Sequence, residues 1–361
     1  MTQSFDFRIN GQSEPIVSGE LIRTVDTACD GFVVNLPINL KTQRDLYNLA
    51  RPRTYAKCQI YLNSELFLTG KKTRVDPSFS NSGRAYALHG FSNTFNFMDS
   101  ALKPPYEYNN QPFENIADQV AAQTGTKVIH DAPQSDQITR ATVESGQTGF
   151  EFLVPLAKER NRVISSDQQG NILIQQADVS SKSVGVIEEG NQADLISQEF
   201  QASFDDRKAF RSYKVTSQTP FGRYQANAVD KSVPEPRHKL ISVDTQTPGA
   251  IEQVAEWQLH LQLIEDFKLE IPVVGWYAPN KDLWRVNTIV TFVSETCFIP
   301  DGFDLYIRGV RYVYGGSGRT AVLSLVPPNI YTTRPIILPW VPAGSVEATE
   351  DFLSQLELEF G

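Results

Sequence analysis

The chain has 361 residues, 40% of them hydrophobic and 21% charged, with a net charge of −9. That length holds two or three domains, each able to bury a core. An acidic balance argues against a protein that grips nucleic-acid phosphates, which needs a basic surface, although an acidic wall would let DNA slide past without sticking.

No stretch approaches the roughly 20 apolar residues of a membrane span. The first ten residues lack a basic run followed by an apolar one, so no signal peptide and no stable membrane insertion are expected. Three cysteines, Cys29, Cys58 and Cys297, lie too far apart for a disulfide framework or a zinc site. Synthesis in the cytoplasm is the expectation.

Residues 1–40 read as strands. Asn10-Gly11 marks a hairpin turn. Leu21 and Val25, then Phe32, Val34 and Leu36, are inward candidates on two further strands. Residues 41–52 are polar and read as a loop with room for one helical turn at Leu46, Leu49 and Ala50. Residues 55–90 then give three strands. Cys58, Ile60 and Leu62 alternate with Lys57, Gln59 and Tyr61, the period of a half-buried strand. Asn63-Ser64 turns the chain back, Gly70 marks a bend or bulge, and Arg84, Tyr86 and Leu88 follow.

The pattern changes near residue 95. Residues 111–125 read as a helix with Pro112 in its first turn and Gly125 past its end. Phe113, Ile116, Ala117, Val120 and Ala121 form its apolar stripe. A β segment covers 126–129. Thr148 and Glu151 have capping-box spacing for a second helix, with Phe150, Leu153, Val154 and Ala157 inward and Pro155 a kink. A hairpin at 162–175 closes this small α/β module.

Strand character resumes at 195–200 and 210–216, and prolines make 231–239 a loop. A helix is expected over 248–267 with Val254, Trp257, Leu261 and Ile264 on one side, then a strand over 267–274. Residues 284–327 repeat the order seen at 55–90. A strand carries Val286, Thr288, Val290 and Phe292, a turn is expected at Pro300-Asp301-Gly302, and Phe303, Leu305 and Ile307 return. Gly309 is matched to Gly70, and Ser317-Gly318-Arg319 to Ser82-Gly83-Arg84. We read two copies of one β unit. Five prolines after residue 326 then punctuate an apolar arm that suits docking on another surface, followed by an acidic tail able to fold on a partner.

The candidates for chemistry are weak. His89, His130, His238 and His260 show no ligand spacing. The glycine-rich 315–320 lies between strands and lacks the Gly-Lys-Ser/Thr ending of a phosphate loop, so a β-turn is expected. Glu114 and Asp118 are one turn apart, as carboxylates on a solvated helix face commonly are. Asp205-Asp206 beside Arg207-Lys208 reads as a charged turn. No catalytic, metal or cofactor residues are assigned.

The order of features resembles one family. The segments are Tyr86-Ala87-Leu88-His89-Gly90, Ser100-Ala101-Leu102, the helix ending at Gly125, residues 146–157 and Gly170-Asn171-Ile172-Leu173-Ile174. Later come Val254-Ala255-Glu256-Trp257, Val274-Gly275-Trp276, Trp284, residues 309–313 and Leu323-Ser324-Leu325. Together they resemble the central baseplate hub proteins of contractile-tailed phages, of the Mu-like and late control D type. These are related in fold to the T4 hub and to the hub part of type VI secretion spikes. The resemblance covers about residues 5–330; Pro155 and the tail depart from it. It implies a mainly β fold with an α/β insert: two tail-tube-like antiparallel β-barrel domains (1–95 and 186–330), the module at 96–185, and an extended arm from 331.

It also implies a homotrimer with pseudo-sixfold symmetry and no catalysis, joining the tail tube protein to the central spike protein. The baseplate wedge or other hub-associated proteins would be neighbours, and DNA would pass the lumen without specific binding. A virion location is the corresponding expectation. A tail-associated peptidoglycan-binding or hydrolysing protein, or the hub of a pyocin or type VI-like injection machine, are the alternatives.

Overall fold

A computed structural model describes residues 4–190 apart from 82, then 202–207, 209–219, 222–230, 233–243, 255, 267–328 apart from 317, and 330, 331 and 339. The first unit comprises β1 (Phe5–Ile9), β2 (Gln12–Glu14), β3 (Ser18–Thr24), β4 (Gly31–Pro37), α1 (Arg44–Ala50), β5 (Lys57–Leu62), β6 (Glu65–Ser80) and β7 (Gly83–Ser92). Its turns follow their residues. Asn10 and Gly11 both take positive φ, as do Asn63 and Ser64, which matches a two-residue hairpin turn to the strand twist. The alternation at 57–62 is seen as read, with Cys58, Ile60 and Leu62 fully buried. Two readings change. The loop at 41–52 contains a seven-residue helix that buries Leu46 and Ala50. Gly70 is no bend: β6 runs through it, and a Cβ there would lie 2.0 Å from the Phe91 carbonyl oxygen.

The module follows: α2 (Phe95–Asp99), β8 (Glu107–Pro112), α3 (Phe113–Ala122), β9 (Val128–Asp131), β10 (Gln137–Thr142), α4 (Gly149–Lys158), β11 (Arg162–Ser166) and β12 (Ile172–Gln176). The five stripe residues of α3 are all fully buried. Thr148 and Glu151 make both bonds of the capping box, and Pro155 sits inside α4 without ending it. Pairing of β8 with β10, and of β9 parallel to β12, was not legible locally. The module closes its own core around Phe97, Tyr108, Phe113 and Phe152.

The remainder comprises β13 (Val186–Glu188), β14 (Ala202–Phe204), β15 (Ser212–Thr219), β16 (Gly222–Val229), β17 (His238–Val243), β18 (Phe267–Val274), β19 (Ile289–Ser294), β20 (Ile299–Gly315) and β21 (Gly318–Val326). The β15 strand lies between β16 and β17 in a separate sheet. So the described part of 231–239, from residue 233, is a loop only up to His238, where β17 starts. The segment 195–200, the helix at 248–267 except Ala255, and the arm beyond Tyr331 except Pro339 lie outside the described residues. In the second unit the turn falls at 295–298, not 300–302. The latter residues sit within β20 as an irregularity opposite β19. Residues 284–288 precede β19, with Trp284 fully buried.

The duplication is written in the pairing. The order β3-β4-β7-β6-β5 is matched by β14-β18-β21-β20-β19, antiparallel throughout. Each central strand carries a bulge, at Thr73 in β6 and at Arg308 in β20. Thr73 precedes Ser80, the last residue before the hairpin, by seven positions, and Arg308 precedes Gly315 by seven. Gly309 therefore corresponds to Arg74 rather than to Gly70, whereas Gly83-Arg84 and Gly318-Arg319 do coincide. The two units are also not separate sheets. β20 pairs with β3, so thirteen strands form one sheet over one large core.

One module contact is open to direct test. Glu114 is 7% exposed, not on a solvated face; it bonds the Arg162 guanidinium and the Ser135 N–H and hydroxyl. Burial pushes its pKa up, but the N–H donors and Arg162 outweigh that and hold it below the usual value. Its stabilisation is thus present above the unfolded pKa and fades as pH falls through the folded one. Glu114→Ala leaves Arg162 buried without its carboxylate and should cost roughly 3–5 kcal/mol in urea unfolding at pH 7. The difference from wild type should shrink below about pH 4; a loss under about 1 kcal/mol would contradict this account.

Candidate assembly interface

The seam between the repeats is a six-residue antiparallel ladder. Gly309 faces Thr24, Val310 faces Arg23, Arg311 faces Ile22, and Tyr312 faces Leu21; Val313 and Tyr314 face Glu20 and Gly19. Val310, Tyr312 and Leu21 point into the core. Phe67 packs edge-on against Tyr312 at 5.0 Å, and the Arg23 guanidinium lies 4.3 Å from the Phe67 ring centre. Arg23 also donates to Asp30, which is 1% exposed, at 2.8 Å. On the outer side of the seam Arg311 and Glu20 approach to 3.8 Å. Tyr314 stacks on Phe5 at 5.6 Å.

The bulge at Arg308 gathers charge at the seam's end. The Val25 N–H donates to the Arg308 carbonyl at 2.9 Å. The Arg308 guanidinium donates to Asp26, and the buried Tyr331 hydroxyl donates to the same carboxylate at 2.6 Å. Burial, and then Asp26, push the Tyr331 phenol up, so it remains a donor. Tyr306 packs on Tyr331 with ring centres 5.2 Å apart. From the module, Lys158 reaches the same field. Burial lowers its ammonium to about 8, against the pull of Asp26 and with the push of Arg308. Strand β20 and the start of the C-terminal arm thus meet at one carboxylate, whose charge also acts on Lys158 of the module.

Besides β2 and β13, which each have one described neighbour, two strand edges stand at corresponding places in the two units. The outer half of β6, residues 74–80, pairs with β7 on one side and with no described strand on the other. Phe79 on it is 88% exposed. At the far end of the sheet β14 has β18 as its described neighbour.

The residues singled out for chemistry are dispersed. His89 lies inside β7 and contacts Asp76 at 3.0 Å, His130 contacts Asp118 at 3.0 Å, and His238 contacts Ser212 at 2.6 Å. His260 is outside the described residues. Gly315 pairs with Gly318 at the end of the β20–β21 ladder, where a turn is expected. Asp205 pairs with Arg207 at 3.1 Å. Among the described residues no cluster of His, Cys, Asp or Glu could hold a metal ion, and no helix is long and apolar enough to cross a membrane.

The comparisons fall on this architecture. Residues 96–176 match the second domain of gp44-like baseplate hub proteins, and residues 247–334 match the fourth domain of the Mu phage baseplate assembly protein GpP. The chain has the fold of a phage baseplate hub. The 43 kDa tail protein of prophage MuSo2 from Shewanella oneidensis superposes with a TM-score of 0.78 at 21% identity, over 91% of this chain and 99% of that one. A tail protein of Neisseria meningitidis MC58 gives 0.78 at 17% identity, over 92% and 98%. A type VI secretion component of Escherichia coli, described as similar to the T4 tail proteins gp27 and gp5, gives 0.55 at 10%, over 91% and 79%. No curated protein sequence matches. One of the two family matches is to a domain of a Mu phage protein, and the mainly β fold with an α/β insert is the one the sequence implied.

The seam makes two tests. Asp26→Ala removes the acceptor of Arg308 and Tyr331 and should cost roughly 1–3 kcal/mol in denaturant unfolding, discounted because Arg308 is a third exposed. Between about 8 and 10.5 the unfolded chain holds the Lys158 proton that the folded chain has released, so its contribution to stability rises with pH through that window. Lys158→Met should therefore melt higher than wild type at pH 7, with the gap closing by pH 10. Parallel melting curves at both pH values would rule the effect out.

Proposed function

We propose that the chain is the structural hub of a contractile phage tail, a virion component that assembles as a homotrimer. The observation that carries this reading is the edge-to-edge joining of two units with the same strand order and the same bulge. Three chains then supply six similar β units to a closed ring. Head-to-tail interfaces of this kind close when the rotation fits and leave no open sheet edges. A ring sixfold in its units and threefold in its chains joins a sixfold tail tube protein to a threefold central spike protein. Wedge and other hub-associated proteins then contact its rim. The division into units at 1–95 and 186–330 around the module at 96–185, with an arm from 331, belongs to this proposal. The net charge of −9 suits a lumen that DNA crosses without binding.

The likeness to a type VI secretion component supports a second reading, the hub of a phage-tail-like injection machine, with the same ring. The proposal requires no catalysis by this chain. Light scattering across a dilution series is the test. A mass three times 40.4 kDa, with a ring of six lobes in projection images, is the expected result. A chain that stays monomeric even with its spike partner added contradicts the proposal.

A further inference from the structure

The seam inside the chain specifies the seam between chains. In the first unit the strand that corresponds to β20 is β6. The first half of each pairs with the preceding hairpin strand, β19 or β5. The second half of β20 then takes β3 across its free side, while the second half of β6, residues 74–80, faces no described strand. In the second unit the counterpart of β3 is β14.

The register follows from shared landmarks. The bulges put Arg74 at the place of Gly309, Val75 at Val310, Asp76 at Arg311 and Pro77 at Tyr312. Phe32 lies opposite Gly90, and Leu269 opposite Leu325, each seven residues past the hairpin glycine. Leu21 faces Phe32 and Ala202 faces Leu269. So Ala202 stands for Leu21, Ser203 for Ile22, Phe204 for Arg23 and Asp205 for Thr24.

We propose that the outer half of β6 pairs antiparallel with β14 of a second copy of this chain, with Arg74 opposite Asp205, Val75 opposite Phe204, Asp76 opposite Ser203 and Pro77 opposite Ala202. This rests on the ring reading above and gives it a register. The sides agree. Val75 and Phe204 both pack toward the shared core, whereas the Asp76 side chain is 44% exposed and Ser203 is exposed. A one-residue slip would set an inward side chain against an outward one. Charges agree as well, because an arginine meets an aspartate at the bulge end. Each has an ion-pair partner within its own strand region in the single chain, Asp76 for Arg74 and Arg207 for Asp205. Pro77 turns its ring nitrogen to this edge, so the seam makes one ladder bond fewer than the internal one. The same proline keeps the unassembled edge from pairing with arbitrary strands.

The bond from Val25 to Arg308 sets the alternation and makes Arg311 and Ile22 a non-hydrogen-bonded pair. Asp76 and Ser203 inherit that position, where Cα atoms lie about 4.5 Å apart, within disulfide reach. The test is oxidation of the full chain carrying D76C and S203C, read on non-reducing gels, beside D76C with D205C, two residues out of register. The in-register pair should give covalent dimers and trimers several-fold more abundant than the control, reversed by reductant. As an independent readout, Arg74→Glu should weaken assembly by about fivefold, and adding Asp205→Arg should restore it. Equal cross-linking of both pairs, or none in a protein that light scattering shows to be trimeric, overturns the register and leaves the ring standing. A protein monomeric at every concentration overturns both.

Discussion

A sheet edge is a row of backbone donors and acceptors that has to be matched or protected, and the pairing of β20 with β3 does this for both repeats at once. Everything else in the β body depends on it. Because the two units share an edge, their inner faces lie over one core. Phe7 and Leu68 of the first unit and Phe292 and Leu323 of the second belong to the same buried cluster. Neither repeat is a finished object alone. Opening the seam would expose Tyr312, Leu21 and Phe67 together with two strands of unpaired backbone.

Bulges make that shared edge possible. A strand of 16 or 17 residues cannot keep one neighbour along its whole length in a curved sheet. The extra residue at Thr73 or Arg308 bends the strand and sharpens its twist. Its first half then belongs to the preceding hairpin and its second half is free to meet another unit. In β20 the bulged residue is an arginine, and its side chain is placed where Asp26, Tyr331 and Lys158 converge. Geometry thus creates a polar site at the end of the seam, and the C-terminal segment is bonded to it through Tyr331.

The sequence carried the local features of this fold and not the remote ones. Asn10-Gly11 and Asn63-Ser64 are turns because their residues accept positive φ, so they could be read directly. The period of two at 57–62 and the stripe of α3 are equally local. The length of β20 was hidden because Pro300-Asp301-Gly302 has turn composition, yet the ladder with β19 resumes on both sides of it. Gly309 looked like the partner of Gly70 by order alone; only the bulges show that it stands where Arg74 stands. Glu114 looked solvated because Ser135 and Arg162, which bury and bind it, are 21 and 48 residues away. The edge pairing of β3 with β20 joins residues nearly 300 positions apart, a relation no local pattern encodes.

The two units are alike in topology and unequal in chemistry, and the inequality has a direction. The strand beyond β5 is antiparallel β1, whereas the strand beyond β19 is parallel β13. By the same correspondence Thr73 stands for Arg308 and Arg207 stands for Asp26. The half-buried ion pair that closes the internal seam therefore has no counterpart at the outer edge of β6. An internal seam forms once, during folding, and is held by a charge cluster that draws on three parts of the chain. In the proposed ring, an outer edge has to stay soluble until a second copy arrives. Exposed charge at Arg74 and Asp76, together with a proline at Pro77, protects such an edge without closing it. One fold thus presents the same geometry twice, sealed where the chain meets itself and still open to pairing where it would meet its neighbour.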